Sequence, residues 1–134
     1  MDDAQIIAKL KNYFSDHPED FIGAYVFGSV ARKASRATSD IDVALLYREA
    51  PPATLSGPRM RVEDELESIL GRPVQAVVLN DAPVDLIHRV LRDGEIVYDG
   101  DRSARIRFEV AARREYFDLL PVLHRYRKLE RAPK

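Results

Sequence analysis

Cysteine is absent from the 134 residues. That excludes a thiolate nucleophile, a Cys-ligated zinc and a disulfide framework, and leaves the redox compartment open. Histidine is scarce. His17, His88 and His124 stand far apart, with no i, i+4 pair and no carboxylate cluster beside them, so they read as surface or helix-end residues and not as metal ligands. Ser29 has no histidine at a workable spacing, and a serine-hydrolase reading fails for want of a base. Charges interrupt every apolar run before it reaches membrane-spanning length, and Met1-Asp2-Asp3 is acidic where a secretory leader is basic. The expectation is a cytoplasmic protein with no membrane contact. Internal repeats and low-complexity segments are also lacking.

What is present suffices for one core. A hydrophobic fraction of 46% over this length predicts a single domain spanning 1–134 without structural metal. The formal net charge of −1 hides an asymmetry: from Arg102 onward ten Lys/Arg stand against four Asp/Glu, and the body before it is acidic. Such a basic tail reads as a solvated helix face or as a docking surface for an acidic partner or nucleic acid.

Ile6, Ile7, Leu10, Tyr13 and Phe14 recur at helical spacing before His17-Pro18, predicting an amphipathic helix that stops at the proline. Ile22–Phe27 predicts a buried strand running into a tight turn at Gly28-Ser29, and Ile41–Tyr47 a second strand. Pro51-Pro52 and Ser56-Gly57-Pro58 bracket a loop. A charged helix follows over about 59–70, closed by Gly71-Arg72-Pro73. Val74–Leu79 is predicted as a third strand, about 83–92 as a helix, and 96–98 as a short strand. Residues 103–129 predict a long helix interrupted or kinked near Pro121. The order implies an α/β (α+β) domain with its strands in one sheet and helices against it. Aromatic residues, Phe117, Tyr116 and Tyr126 among them, sit at spacings that suit core packing, and none is assigned to base stacking.

The chemistry concentrates between Gly28 and Asp42. Residues two apart on a strand share a face, so Asp40 and Asp42 set two carboxylates side by side, roughly 7 Å apart at the backbone. Like charges so placed call for a cation. Hard oxygen ligands without His or Cys favour Mg²⁺ or Mn²⁺, which proteins hold with one or two carboxylates plus substrate phosphates. Gly28 lets the backbone approach a phosphate, the Ser29 hydroxyl can donate to it, and Arg32 adds positive charge; a helix N-terminus following Ser29 would favour the same anion. This describes a site for a nucleoside triphosphate.

Gly28-Ser29, ten intervening residues and Asp40-x-Asp42 resemble the signature of the DNA polymerase β-like nucleotidyltransferase superfamily. The small size and flanks look like its minimal (MNT) branch. Phe108-Glu109 through Tyr116-Phe117-Asp118, and Pro121 to Tyr126, are similar to the terminal helix of MNT antitoxins paired with HEPN toxins. The resemblance implies a mixed sheet of about four strands flanked by helices, with a long C-terminal helix over about 103–129 as the partner-docking element. It further implies ATP as substrate with Mg²⁺ (or Mn²⁺) on Asp40 and Asp42, nucleotide held by Gly28, Ser29 and Arg32, and AMP transfer to a tyrosine of a HEPN ribonuclease toxin. No direct nucleic-acid contact is expected, and homo-oligomerisation is left open.

The chain departs from that family twice. Lys33 stands where a glycine commonly follows the arginine, a change expected only to alter the turn. Gln75 occupies the place of the third carboxylate, and a neutral amide is a poor metal ligand and no general base. Asp81 lies six residues on, about 20 Å along an extended strand, and does not replace it. Gln75 therefore keeps two alternatives in view beside the protein adenylyltransferase: an antitoxin weakened in catalysis that neutralises its toxin by contact, and a nucleotidyltransferase acting on a small molecule. The last suffers from the lack of an extra domain to shape an acceptor pocket.

Overall fold

The computed structural model describes residues 1–52 and 57–131, with side chains to Leu129. Eight of its elements are those expected from local sequence. Helix α1 (Asp3–Ser15) starts at a capping box in which the Asp2 carboxylate accepts from the Gln5 backbone and the Gln5 side chain accepts from the Asp2 backbone, each at 2.8 Å. Strand β1 (Phe21–Phe27) and strand β2 (Ile41–Tyr47) come next. Helix α2 (Pro58–Leu70) has proline in its first turn and ends at Gly71 in the left-handed conformation, φ 68°. Strand β3 (Val74–Val78), helix α3 (Val84–Asp93) and strand β4 (Glu95–Asp99) precede helix α4 (Arg102–Arg131).

Two local expectations are corrected. The third strand stops at Val78, and Leu79–Asp81 form a 3₁₀ turn instead of its last residue and exit. Asn80 explains the break: its side-chain amide donates to the Tyr47 carbonyl and its oxygen accepts from the Tyr47 N–H, both at 2.9 Å, so the side chain takes over a strand's pairing. Helix α4 runs through Pro121 without interruption; the ring forfeits one backbone hydrogen bond inside a helix that continues on both sides. The expected loop after Pro52 falls partly on 53–56, outside the described residues.

The sheet is mixed, in the order β3-β2-β1-β4, with β1 antiparallel to both β2 and β4 and β2 parallel to β3. Strand alternation sends its side chains to two cores. Ile41, Val43, Leu45 and Tyr47 join Ile6, Leu10, Phe14 and Leu66 beneath α1 and α2. Ala44, Leu46 and Tyr25 join Ile87, Val90 and Ala112 beneath α3 and α4. Asp42 belongs by parity to the second face, at the sheet end where β2 begins.

A buried ionic knot fastens α4 to that face. Arg105, 8% exposed, donates to Glu109 at 2.7 Å and to Asp99 at 3.1 Å, while the Tyr25 hydroxyl donates to Glu109 at 3.2 Å. Burial, then the Glu109 charge, pushes the Tyr25 phenol well above its ordinary range, so it stays a donor. His88 stacks on Tyr116 with ring centroids 3.6 Å apart, closing α3 on α4. The distal part of α4 leaves the body: from Pro121 to Leu129 every side chain but Leu123 is exposed. Phe117 and Tyr126, expected in the core, are 61% and 67% exposed.

Lys33 shows what the missing glycine costs. Its φ is 57°, the one non-glycine residue with positive φ among those described, and a side chain in the left-handed region costs about 1–2 kcal/mol. Lys33→Gly should raise the stability by about 0.5–1 kcal/mol after the larger entropy of an unfolded glycine is subtracted. A melting midpoint higher by a few degrees in calorimetry is the expected reading; a lower one would mean that the lysine side chain contributes more than its backbone loses.

Candidate active site

The site is built where β1 ends and β2 begins. Gly28 has φ 71°, open to glycine at no cost, and a Cβ there would collide with the Asp42 carboxylate, its Cγ lying 3.2 Å away. Gly28 is thus demanded twice, by the turn and by the carboxylate against it. The segment after it is a run of turns: Arg32 N–H donates to Gly28 O at 3.2 Å, Lys33 to Val30 at 3.0 Å and Ala34 to Ser29 at 2.9 Å. No helix is present between β1 and β2, so the helix N-terminus expected after Ser29 is replaced by this hydrogen-bonded coil. Val30, fully buried, anchors it in the core, and Ser35 ties it to the Asp3 carboxylate by backbone and hydroxyl.

Asp40 stands just before β2 and is exposed, and Asp42 lies within the strand and is half-buried. Burial, and after it the Asp40 charge, raises the Asp42 carboxyl above its ordinary range, against a lowering by Arg32. Arg72 holds the approach to the pair, its guanidinium donating to the Ser39 carbonyl at 2.8 and 3.2 Å. Nothing in the spacing singles out Arg72, which in sequence is only a residue of a helix-ending turn.

The register of the sheet sets Asp42 between two neighbours. On one side it is the Cα partner of Phe27, whose next residue is Gly28; on the other it is the partner of Gln75. Adjacent strands lie about 4.8 Å apart, so Gln75, exposed and on the Asp42 face, stands beside Asp42. No group of three or more His, Cys, Asp or Glu forms a metal-holding cluster among the described residues. Asp81 therefore does not complete the pair, although the strand geometry used to exclude it does not apply beyond Val78.

Two arginines flank the glycine turn. A pocket of about 200 Å³ is lined by Phe27, Gly28, Arg32, Arg89 and Asp93. Asp93 is gripped by Arg92, two N–O distances of 2.9 Å, and that hydrogen bond, with the charges of Arg92, Arg32 and Arg89, holds its carboxyl below the ordinary range. Arg89 escaped the sequence reading because an exposed arginine in a helix carries no local signal; it reaches the turn only because α3 lies across β1. Arg105 and Phe108, read as part of a basic docking face, are corrected: the first is buried in its ion pairs and the second packs on the core.

The family model for polymerase beta, nucleotidyltransferase, matches residues 8–103, which takes in the glycine turn, both carboxylates and Gln75. The chain belongs to this nucleotidyltransferase family. A solved minimal nucleotidyltransferase is 30% identical over 71% of this chain and 95% of its own, with a TM-score of 0.58. A chain of a toxin-antitoxin complex with AMP-PNP shares the fold at a TM-score of 0.77 and 24% identity, covering 96% of this chain and 98% of that one. A tri-AMPylated Shewanella oneidensis HEPN toxin in complex with its MNT antitoxin gives 0.73 and 21%, covering 94% and 99%. No curated protein matches the nucleotidyltransferase in sequence. Among its described residues no helix is long and apolar enough to cross a membrane.

Proposed function

We propose that residues 1–134 form one MNT-type unit that transfers AMP from ATP to a tyrosine hydroxyl of a HEPN-type toxin and so acts as its antitoxin. The observation that carries this reading is the Gly28 turn pressed against Asp42, with Asp40 beside it and two arginines behind. The donor set fits a divalent cation: two oxygen-bearing side chains of like charge, one of them held above its ordinary pKa by burial and then by the other. Mg²⁺ bound to Asp40 and Asp42 would neutralise the phosphate charge and polarise the α-phosphoryl group. The Ser29 hydroxyl and the close backbone approach at Gly28 hold the phosphates, and Arg32 with Arg89 stabilises the departing pyrophosphate. Partner docking is assigned to the free part of α4, where Phe117, Val122, Tyr126 and Leu129 stand exposed among basic residues. The similarity in fold to MNT antitoxins over nearly the whole chain supports this reading.

Calorimetry and mass spectrometry test it together. ATP should bind with Mg²⁺ and fail to bind in chelator, Arg89→Gln should weaken ATP but spare AMP, and a co-expressed HEPN partner should gain the mass of AMP. ATP binding that is indifferent to the metal would overturn the assignment of Asp40 and Asp42. A second reading, inhibition by contact alone, draws on Gln75, the neutral group beside the carboxylates; it predicts a tight complex with an unmodified partner.

A further inference from the structure

A second cavity lies away from the carboxylates, at the free edge of β3. It is a cleft of about 580 Å³ between the start of α2 and the start of α3, walled by Pro58, Val77, Pro83 and Leu86, with Arg59 and Asp81 among its lining residues. Val77 and Leu86 pack toward the same core as the Asp42 face. Val77 is two residues beyond Gln75 on that face, a step of about 6.6 Å.

We infer that this cleft receives the acceptor, a tyrosine-bearing segment of a protein partner. The inference rests on the nucleotidyl-transfer reading above and adds a direction to it. Displacement at phosphorus is in line, so nucleophile and leaving group occupy opposite sides of the α-phosphorus. The turn at Gly28, with Arg32 and Arg89, sits on the β1 side of Asp42 and takes the pyrophosphate. The nucleophile then arrives from the β3 side, where Gln75 stands and the cleft opens. A tyrosine side chain spans about the Val77-to-Gln75 step, so a segment seated against Val77 and Leu86 brings its hydroxyl to Asp42.

The proline-rich, largely apolar walls suit an aromatic ring, and Arg59 and Asp81 supply polar contacts for the flanking main chain. Addition of a strand to β3 is not the mode of docking. Its outward N–H groups at Val74 and Ala76 already donate to the Glu67 and Glu63 carboxylates, at 3.0 and 2.9 Å. In the step itself the phenolic oxygen bonds to the α-phosphorus and the bond from that phosphorus to the α,β-bridging oxygen breaks. Pyrophosphate leaves with that electron pair, and the phenolic proton passes to water at the exposed Gln75.

N-acetyl-tyrosinamide is the probe, titrated into the whole ¹⁵N-labelled chain with Mg-ATP present. Backbone resonances of Arg59, Val77, Val78 and Leu86 should shift, and N-acetyl-alaninamide should leave them still. Leu86→Trp fills the cleft and should weaken the response at least fivefold; Asp81→Trp, at an exposed position that does not threaten folding, should do the same from the mouth. Shifts elsewhere, equal shifts with the alanine probe, or an unchanged response in Asp81→Trp would overturn the cleft. The same spectra keep the two readings apart. If Mg-ATP fails to shift Gly28 to Asp42, the nucleotidyl-transfer reading falls; if it shifts them while the tyrosine probe goes elsewhere, only the acceptor site does.

Discussion

Asp42→Asn should abolish Mg-dependent ATP binding, slow AMP transfer by about 10²–10³-fold, and yet stabilise the metal-free protein. The loss is that of one of the two carboxylates that would hold the cation against the reacting phosphate, and removal of one preorganised electrostatic group commonly costs this much. The gain follows from the environment of the carboxylate. Burial and the Asp40 charge raise the Asp42 carboxyl above its ordinary range, with Arg32 opposing. The native state therefore binds the Asp42 proton more tightly than the unfolded chain does. Stability from this group is full below the unfolded pKa and is lost as pH climbs through the raised native one. In chelator, thermal unfolding of the wild type should show that decline from the ordinary carboxylate range upward, and Asp42→Asn should lack it. A variant less stable than wild type at neutral pH in chelator would mean that Asp42 is not repelled in the folded state, and the argument for a cation there would lose its footing.

Gln75→Asp is the second large effect, and it runs the other way. Gln75 is the cross-strand partner of Asp42 on the parallel β2/β3 pair and is exposed on the reacting face, so an aspartate there adds a third carboxylate beside the other two. That carboxylate can bind metal or accept the acceptor's proton, and a general base is typically worth about 10²–10⁴ in rate. AMP transfer should rise about 10²-fold, measured as single-turnover formation of AMP-modified partner. Unmodified partner in both wild type and variant would favour inhibition by contact. A wild type already fast, and slowed by the change, would show that the proton leaves by another route.

How much of this was legible beforehand differs from residue to residue. The boundaries of β2 came directly from the apolar run Ile41 to Tyr47, because a strand buried on both faces announces itself as a continuous apolar stretch. Gly71 marked the end of α2 for an equally local reason. Leu79 was misread as strand because the apolar pattern continues through it, while the turn that it begins is dictated by Asn80 bonding to a strand far away in sequence. Similarly, Arg105 and Arg113 look alike in a basic helix; only the docking of α4 on β1 and β4 turns one inward to Asp99 and Glu109 and leaves the other in water.

Sequence by itself determined the carboxylate pair, the glycine turn and the helical or extended character of nearly every segment, since these depend on side-chain period and on the φ that a residue tolerates. Tertiary structure decided what surrounds them. It set Gln75 opposite Asp42 through the register of β2 and β3, carried Arg89 to Gly28 by laying α3 over β1, and opened a cleft where α2 and α3 both begin. Such juxtapositions join residues tens of positions apart, and they are chosen by how the two faces of one sheet are covered, which no local pattern records.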